Sequence, residues 1–138
     1  MASSEEPTRQ CAALPLRRVN GRLEVLLVTS RETKRWVIPK GWLIAGLTAA
    51  QSAAREAHEE AGVEGRIAPA PLGSFVYEKR LKDGVLRPVR VEVFRLDVEA
   101  ELDAWPEAVE RSRRWMAPAE AAMLVAEPEL AVLLQGLE

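Results

Sequence analysis

The chain has 138 residues, enough for one domain with its own hydrophobic core. Lys and Arg number 19 against 21 Asp and Glu, and the net charge of −2 argues against a general binder of nucleic-acid polymers. One cysteine, Cys11, and one histidine, His58, exclude an internal disulfide and a Cys/His zinc centre, and no apolar run approaches the roughly 20 residues of a membrane span.

Residues 1–10 are polar and acidic and read as a disordered N-terminal tail; residues 11–138 read as one domain. Residues 11–19 and 23–30 read as strands joined by Asn20-Gly21, a pair suited to the positive φ of a two-residue hairpin. A short strand follows at 36–39 and a loop at 41–46. The pattern predicts a helix over 48–61. Thr48 and Gln51 form a capping box at its start, and Gly62 ends it. Residues 72–81 and 85–99 are strand-rich, with Asp83-Gly84 as a second hairpin signal. Residues 118–137 read as two helical pieces broken before Pro128. This order predicts a mixed β-sheet covered by helices on both faces, an α/β/α arrangement of the α+β or α/β class.

On an ideal helix Ala50, Ala53, Ala54, Ala57 and Ala61 share one face, suited to close packing on a sheet. Glu56, Glu59 and Glu60 lie beside that face at i, i+3, i+4 spacing. Three such neighbours repel one another, and the C-terminal end of the helix dipole opposes them further. A divalent cation removes both objections, and with Cys and His so scarce it must be held by oxygen ligands. A plain solvated acidic face is the alternative reading of the three glutamates alone. Arg55, one turn before Glu59, is placed to orient it.

Gly41, followed by Arg55-Glu56-Ala57-His58-Glu59-Glu60-Ala61-Gly62-Val63 at the matching interval and preceded by Pro39-Lys40, resembles the Nudix box. The order of strands and helices around it fits the same family over roughly residues 11–136. The resemblance implies the Nudix fold and a hydrolase that cuts phosphoanhydride bonds with Mg²⁺, or Mn²⁺. It implies that Glu56, Glu59, Glu60 and the Gly41 carbonyl hold the metal, with Glu59, Glu60 and Arg55 in the catalytic machinery. A further glutamate before the last strand acts as base in many members; here Glu110 is the first candidate and Glu107 the second. One position departs from the pattern: Leu47 stands where the box has a glutamate, which puts the surroundings of the metal in question.

The segment from Arg35 to Trp42, together with Tyr77-Glu78-Lys79-Arg80 and Trp105-Pro106-Glu107, resembles the branch acting on diphosphoinositol polyphosphates and diadenosine polyphosphates, whose bacterial members often lack that glutamate. Arg31, Arg35, Lys40, Lys79 and Arg80 are then the phosphate-binding candidates, since several phosphates need several cations. Cations at the second hairpin also keep edge strands soluble, which is the competing explanation there. Trp42, beside the box, is the stacking candidate for a nucleobase. Trp36 and Trp115 read as core, and His58 as a surface residue.

The expected partner is a phosphorylated small molecule, not a nucleic-acid polymer or a membrane, in the cytoplasm. The apolar C-terminal helices offer a surface for a homodimer. Two other functions fit the same box: a nucleoside diphosphate-X pyrophosphatase acting on NTPs, NADH or nucleotide sugars, and a non-catalytic Nudix-fold nucleotide-binding module.

Overall fold

A computed structural model describes residues 8–137. Strand β1 (Thr8–Val19) and β2 (Arg22–Thr29) form the first hairpin. Asn20 and Gly21 turn it with φ of 53° and 78°, and Val19 pairs with Arg22 across it. Then come β3 (Trp36–Val37), β4 (Lys40–Trp42) and α1 (Ala49–Glu56). Next are β5 (Val63–Ile67), β6 (Gly73–Arg80) and β7 (Leu86–Glu101). The chain ends with β8 (Arg113–Met116), α2 (Pro118–Leu124) and α3 (Pro128–Gln135).

β1 and β7 lie parallel at the centre of the sheet; the other pairings are antiparallel, so the sheet is mixed. The alternation of side chains along β1 serves two cores. Cys11 and Ala13 face α1, where Ala50, Ala53, Ala57 and Ala61 pack against Leu26, Val28 and Phe94. Ala12, Leu14 and Leu16 face α2 and α3 and meet Val91, Val93, Ala121, Leu130 and Leu134. This is the expected α/β/α sandwich, and the alanine face of α1 lets the helix lie close on the sheet.

Four local expectations change. The tail expected over residues 1–10 does not include Thr8, Arg9 and Gln10, which belong to β1 and pair with Val89, Arg90 and Val91. Main-chain pairing with β7 makes these polar residues a strand; residues 1–7 lie outside the described residues. The loop expected at 41–46 begins as β4, because Lys40, Gly41 and Trp42 pair with β1. The helix of 48–61 is α-helical only to Glu56 and widens to a π-helical turn over Ala57–Ala61. Strand β5 is an addition. It has only five residues, one of them a glycine, and it exists because the far end of β7 offers an edge.

Candidate active site

Thr48 caps α1 as its spacing predicts: its Oγ1 accepts from the Gln51 amide at 3.0 Å, and Gln51 Oε1 accepts from the Thr48 amide at 2.9 Å. The helix therefore starts at a defined residue, which sets where its acidic end falls. Gly62 closes that end with φ 67°.

The acidic end borders a cleft of about 320 Å³ whose walls include Glu56, Glu60, Gly41, Lys40, Glu107 and Arg111. Glu60 is buried, at 8% exposure. Its Oε1 accepts the Lys40 backbone amide at 3.2 Å, and its Oε2 lies 3.4 Å from an Arg111 guanidinium nitrogen. Glu56 and Glu60 both face this cleft. Burial, then the charges of Glu60 and Glu59, push the Glu56 carboxyl up to about 7. Burial also raises Glu60, against the pull of Arg111 and Lys40.

The donor set fits a hard divalent cation. Its side-chain members are all carboxylates, and two of them stand in partly dry surroundings that disfavour their charge. Gly41 leaves the space beside them open: a Cβ there would lie 2.5 Å from Glu56 Oε2. As placed, no three acidic, histidine or cysteine side chains among the described residues form a ready metal cage. Glu59 is half-buried next to the pair and does not line the cleft, although Glu56 feels its charge.

Two arginines that sequence reasoning passed over complete the site. Arg111, with only 8% of its side chain exposed, donates to Glu107 Oε1 at 2.7 Å and to the Thr29 carbonyl at 3.0 Å besides facing Glu60. Arg113 lies with its guanidinium 3.9 Å from the Trp105 ring centroid and donates to the Ala61 carbonyl at 2.9 Å. The run 111–114, rich in arginine after an acidic loop, is the signal by which they could have been found.

The other candidates divide clearly. Glu107 is in the cleft. Glu110 is exposed and outside its lining, with Arg31 at 3.8 Å and its carbonyl accepting from Lys34 Nζ at 3.2 Å. Arg55 is exposed and, among the described residues, makes no hydrogen bond or ion pair; the hold on Glu59 that the sequence suggested is not made. It borders instead a groove on the outer side of α1 with His58 and Glu64. His58 Nδ1 lies 3.1 Å from Glu64 Oε2 at an angle that makes no hydrogen bond. Leu47 closes a turn through its amide to the Ile44 carbonyl at 3.0 Å.

Arg31, Lys40 and Lys79 line the cleft and also a neighbouring hollow of about 430 Å³, which adds Arg35 and Arg80. All five phosphate-binding candidates thus fall on one continuous surface. Lys40 lies 5.1 Å from the Tyr77 ring centroid, and burial lowers its pKa. Tyr77 donates to Gln10 Oε1 at 2.8 Å, and burial raises its hydroxyl to about 12. Trp42 borders the cleft with 42% of its surface exposed. Trp36 and Trp115 are half-buried against the two cores, as expected.

A mixed sheet between helices, with an acidic helix end turned into a cation-lined cleft, is the arrangement of the Nudix fold. Residues 7–136 match the NUDIX domain, and the chain belongs to the Nudix family. It is similar to "Nudix hydrolase 12, mitochondrial" of Arabidopsis thaliana, with 39% identity over 103 residues, 72% of this chain and 51% of that protein. It also resembles diphosphoinositol polyphosphate phosphohydrolase 3-alpha of Mus musculus, with 37% identity covering 67% of this chain and 54% of that one. The chain thus spans about half the length of these relatives. A crystal structure of a C. elegans Ap4A hydrolase binary complex superposes with a TM-score of 0.68 at 22% identity, covering 93% of each chain. The Nudix domain of Shewanella oneidensis NrtR, complexed with ADP ribose, gives 0.68 at 16% identity over 94% of this chain and 87% of its own. These two likenesses concern the fold. No helix among the described residues is long and apolar enough to cross a membrane.

Proposed function

We propose that the chain is a Mg²⁺-dependent hydrolase of phosphoanhydride bonds in a polyphosphorylated small molecule, either a diphosphoinositol polyphosphate or a dinucleoside polyphosphate. The observation that carries this reading is the carboxylate pair Glu56–Glu60, facing a cleft that opens onto five cationic side chains. The names of the mouse and C. elegans proteins support the two substrate classes.

Glu56, Glu59 and Glu60 would hold Mg²⁺ or Mn²⁺, with the Gly41 carbonyl as a further oxygen. When bound, the ion supplies charge neutralisation on the phosphates and a more acidic water. Glu107, inside the cleft and oriented by Arg111, is better placed than Glu110 to take a proton from water. Lys40, Lys79, Arg31, Arg35 and Arg80 bind and orient the phosphate groups that do not react. Trp42 offers an exposed face for a nucleobase, and this favours a second reading as a nucleoside diphosphate-X pyrophosphatase. We place its action in the cytoplasm, in keeping with the buried free thiol of Cys11.

The test is release of phosphate or nucleotide from a panel of dinucleoside polyphosphates, diphosphoinositol phosphates, NTPs, NADH and nucleotide sugars, with and without Mg²⁺. Activity should require the metal. It should fall at least about a hundredfold in Glu60→Gln, since even outer partners of metal ligands cost 10–100-fold. Wild-type activity in both Glu59→Gln and Glu60→Gln would sink the metal assignment.

A further inference from the structure

The last carbonyls of a helix have no partner within it and must find one elsewhere. At the end of the acidic helix, four consecutive carbonyls find theirs in one segment, residues 102–113. The Glu59 carbonyl accepts from the Glu107 amide at 3.0 Å, and the Gly62 carbonyl from the Leu102 amide at 2.8 Å. Between them the Glu60 carbonyl accepts from Trp105 Nε1 at 3.0 Å, and the Ala61 carbonyl from Arg113 at 2.9 Å.

The two side chains in this set brace each other. The Arg113 guanidinium stacks on the Trp105 ring and also donates to the Leu102 carbonyl at 2.7 Å, tying the segment's start to its end. The fit over Gly62 is close: a Cβ there would lie 2.6 Å from the Trp105 ring and 2.8 Å from Arg113. Arg113 also puts a positive charge where the helix dipole is negative and two glutamates stand.

This segment carries Glu107 and Arg111. The Glu107 amide bonds to the helix end, and Arg111 bridges Glu107 and Glu60 from the same segment. Neither Trp105 nor Arg113 lines the cleft. We propose that Trp105 and Arg113 are positioning residues, which set Glu107 against Glu56 and Glu60 by latching segment 102–113 to the end of the acidic helix. The inference rests on the functional reading above and adds to it that the second acidic wall of the cleft is a fixed part of the metal helix rather than a movable lid.

Trp105→Phe keeps the ring under Arg113 and removes one donor; Arg113→Lys keeps the charge and removes the fork. In the full-length chain, Mn²⁺ binding without substrate should weaken about tenfold in each, because Trp105 and Arg113 also hold the main chain of Glu60 and Ala61, as outer groups hold metal ligands. The kcat should fall about tenfold with KM within about twofold, and the Glu107 amide should exchange faster with solvent. Wild-type Mn²⁺ affinity and kcat in both variants would overturn the latch and leave the residues as a brace of the fold. In the wild-type chain the Glu107 amide should exchange as slowly as those of the helix core, and fast exchange would overturn the proposal without any variant. If the wild-type chain binds no divalent ion, the functional reading falls and the inference with it.

Discussion

Glu56 and Glu60 stand one helical turn apart, and the charge of Glu60 adds to burial in raising Glu56's hold on a proton. Glutamate spacing alone predicts repulsion, as the sequence shows. Which carboxylates bear it depends on burial, and burial is decided by the neighbours: Glu60 is enclosed by Lys40 and Arg111, whereas Glu59 stays outside the cleft. A pH dependence follows. Glu56 titrates near 7 in the folded chain and near 4.5 in ordinary surroundings, so between these values the folded state holds more protons than the unfolded one. Stability of the metal-free chain should therefore fall as pH rises from about 4.5 to about 7. Melting temperatures across this range check it, and saturating Mg²⁺ should reverse the loss near neutral pH by binding the folded state only. A rise in melting temperature over the same interval, without metal, would contradict the raised Glu56 carboxyl.

At the scale of elements, the acidic helix shows what local chemistry decides. Its start is readable to the residue because Thr48 and Gln51 satisfy each other's amides within one turn. Thr48→Ala removes a cap worth about 1 kcal/mol. That should lower Tm by about 4 °C in a chain of this size, with the metal site unchanged by Mn²⁺ titration. Its end is not readable in the same way. A regular α-helix to Ala61 is the natural reading of the sequence, yet the final turn is π-helical, and the partners of its last carbonyls lie 40 to 52 residues further on. Wider turns of this kind recur at functional sites. Strand β5 makes the same point, since its five residues gain their conformation from pairing with β7.

At the scale of the molecule, the sheet gathers cations that are far apart in the chain. Arg31, Arg35 and Lys40 come from the turn and strands after β2, and Lys79 and Arg80 from the end of β6. Removing two of them, as in Arg35→Gln combined with Lys79→Gln, should raise KM for a substrate with many phosphates about tenfold and change kcat little. The loss should shrink at high salt, because exposed charges are screened there. KM for NADH should move far less; an equal rise for both substrates would mean that the hollow does not discriminate by phosphate number.

Residues 41–63 determine the family, the helix cap and the acidic face, because each is a matter of spacing within a few turns of one element. The two hairpins are equally local, since a pair such as Asn20-Gly21 turns the chain by its own φ preferences. Tertiary structure alone decided that Glu107 rather than Glu110 enters the cleft, that Arg55 turns away from it, and that Arg111 and Arg113 belong to the site. The physical reason is the same in each case. An exposed loop residue and a buried ion-pair partner look alike in sequence, and only the packing of segment 102–113 on the helix end determines which carboxylate loses its water and which carbonyl gains a donor.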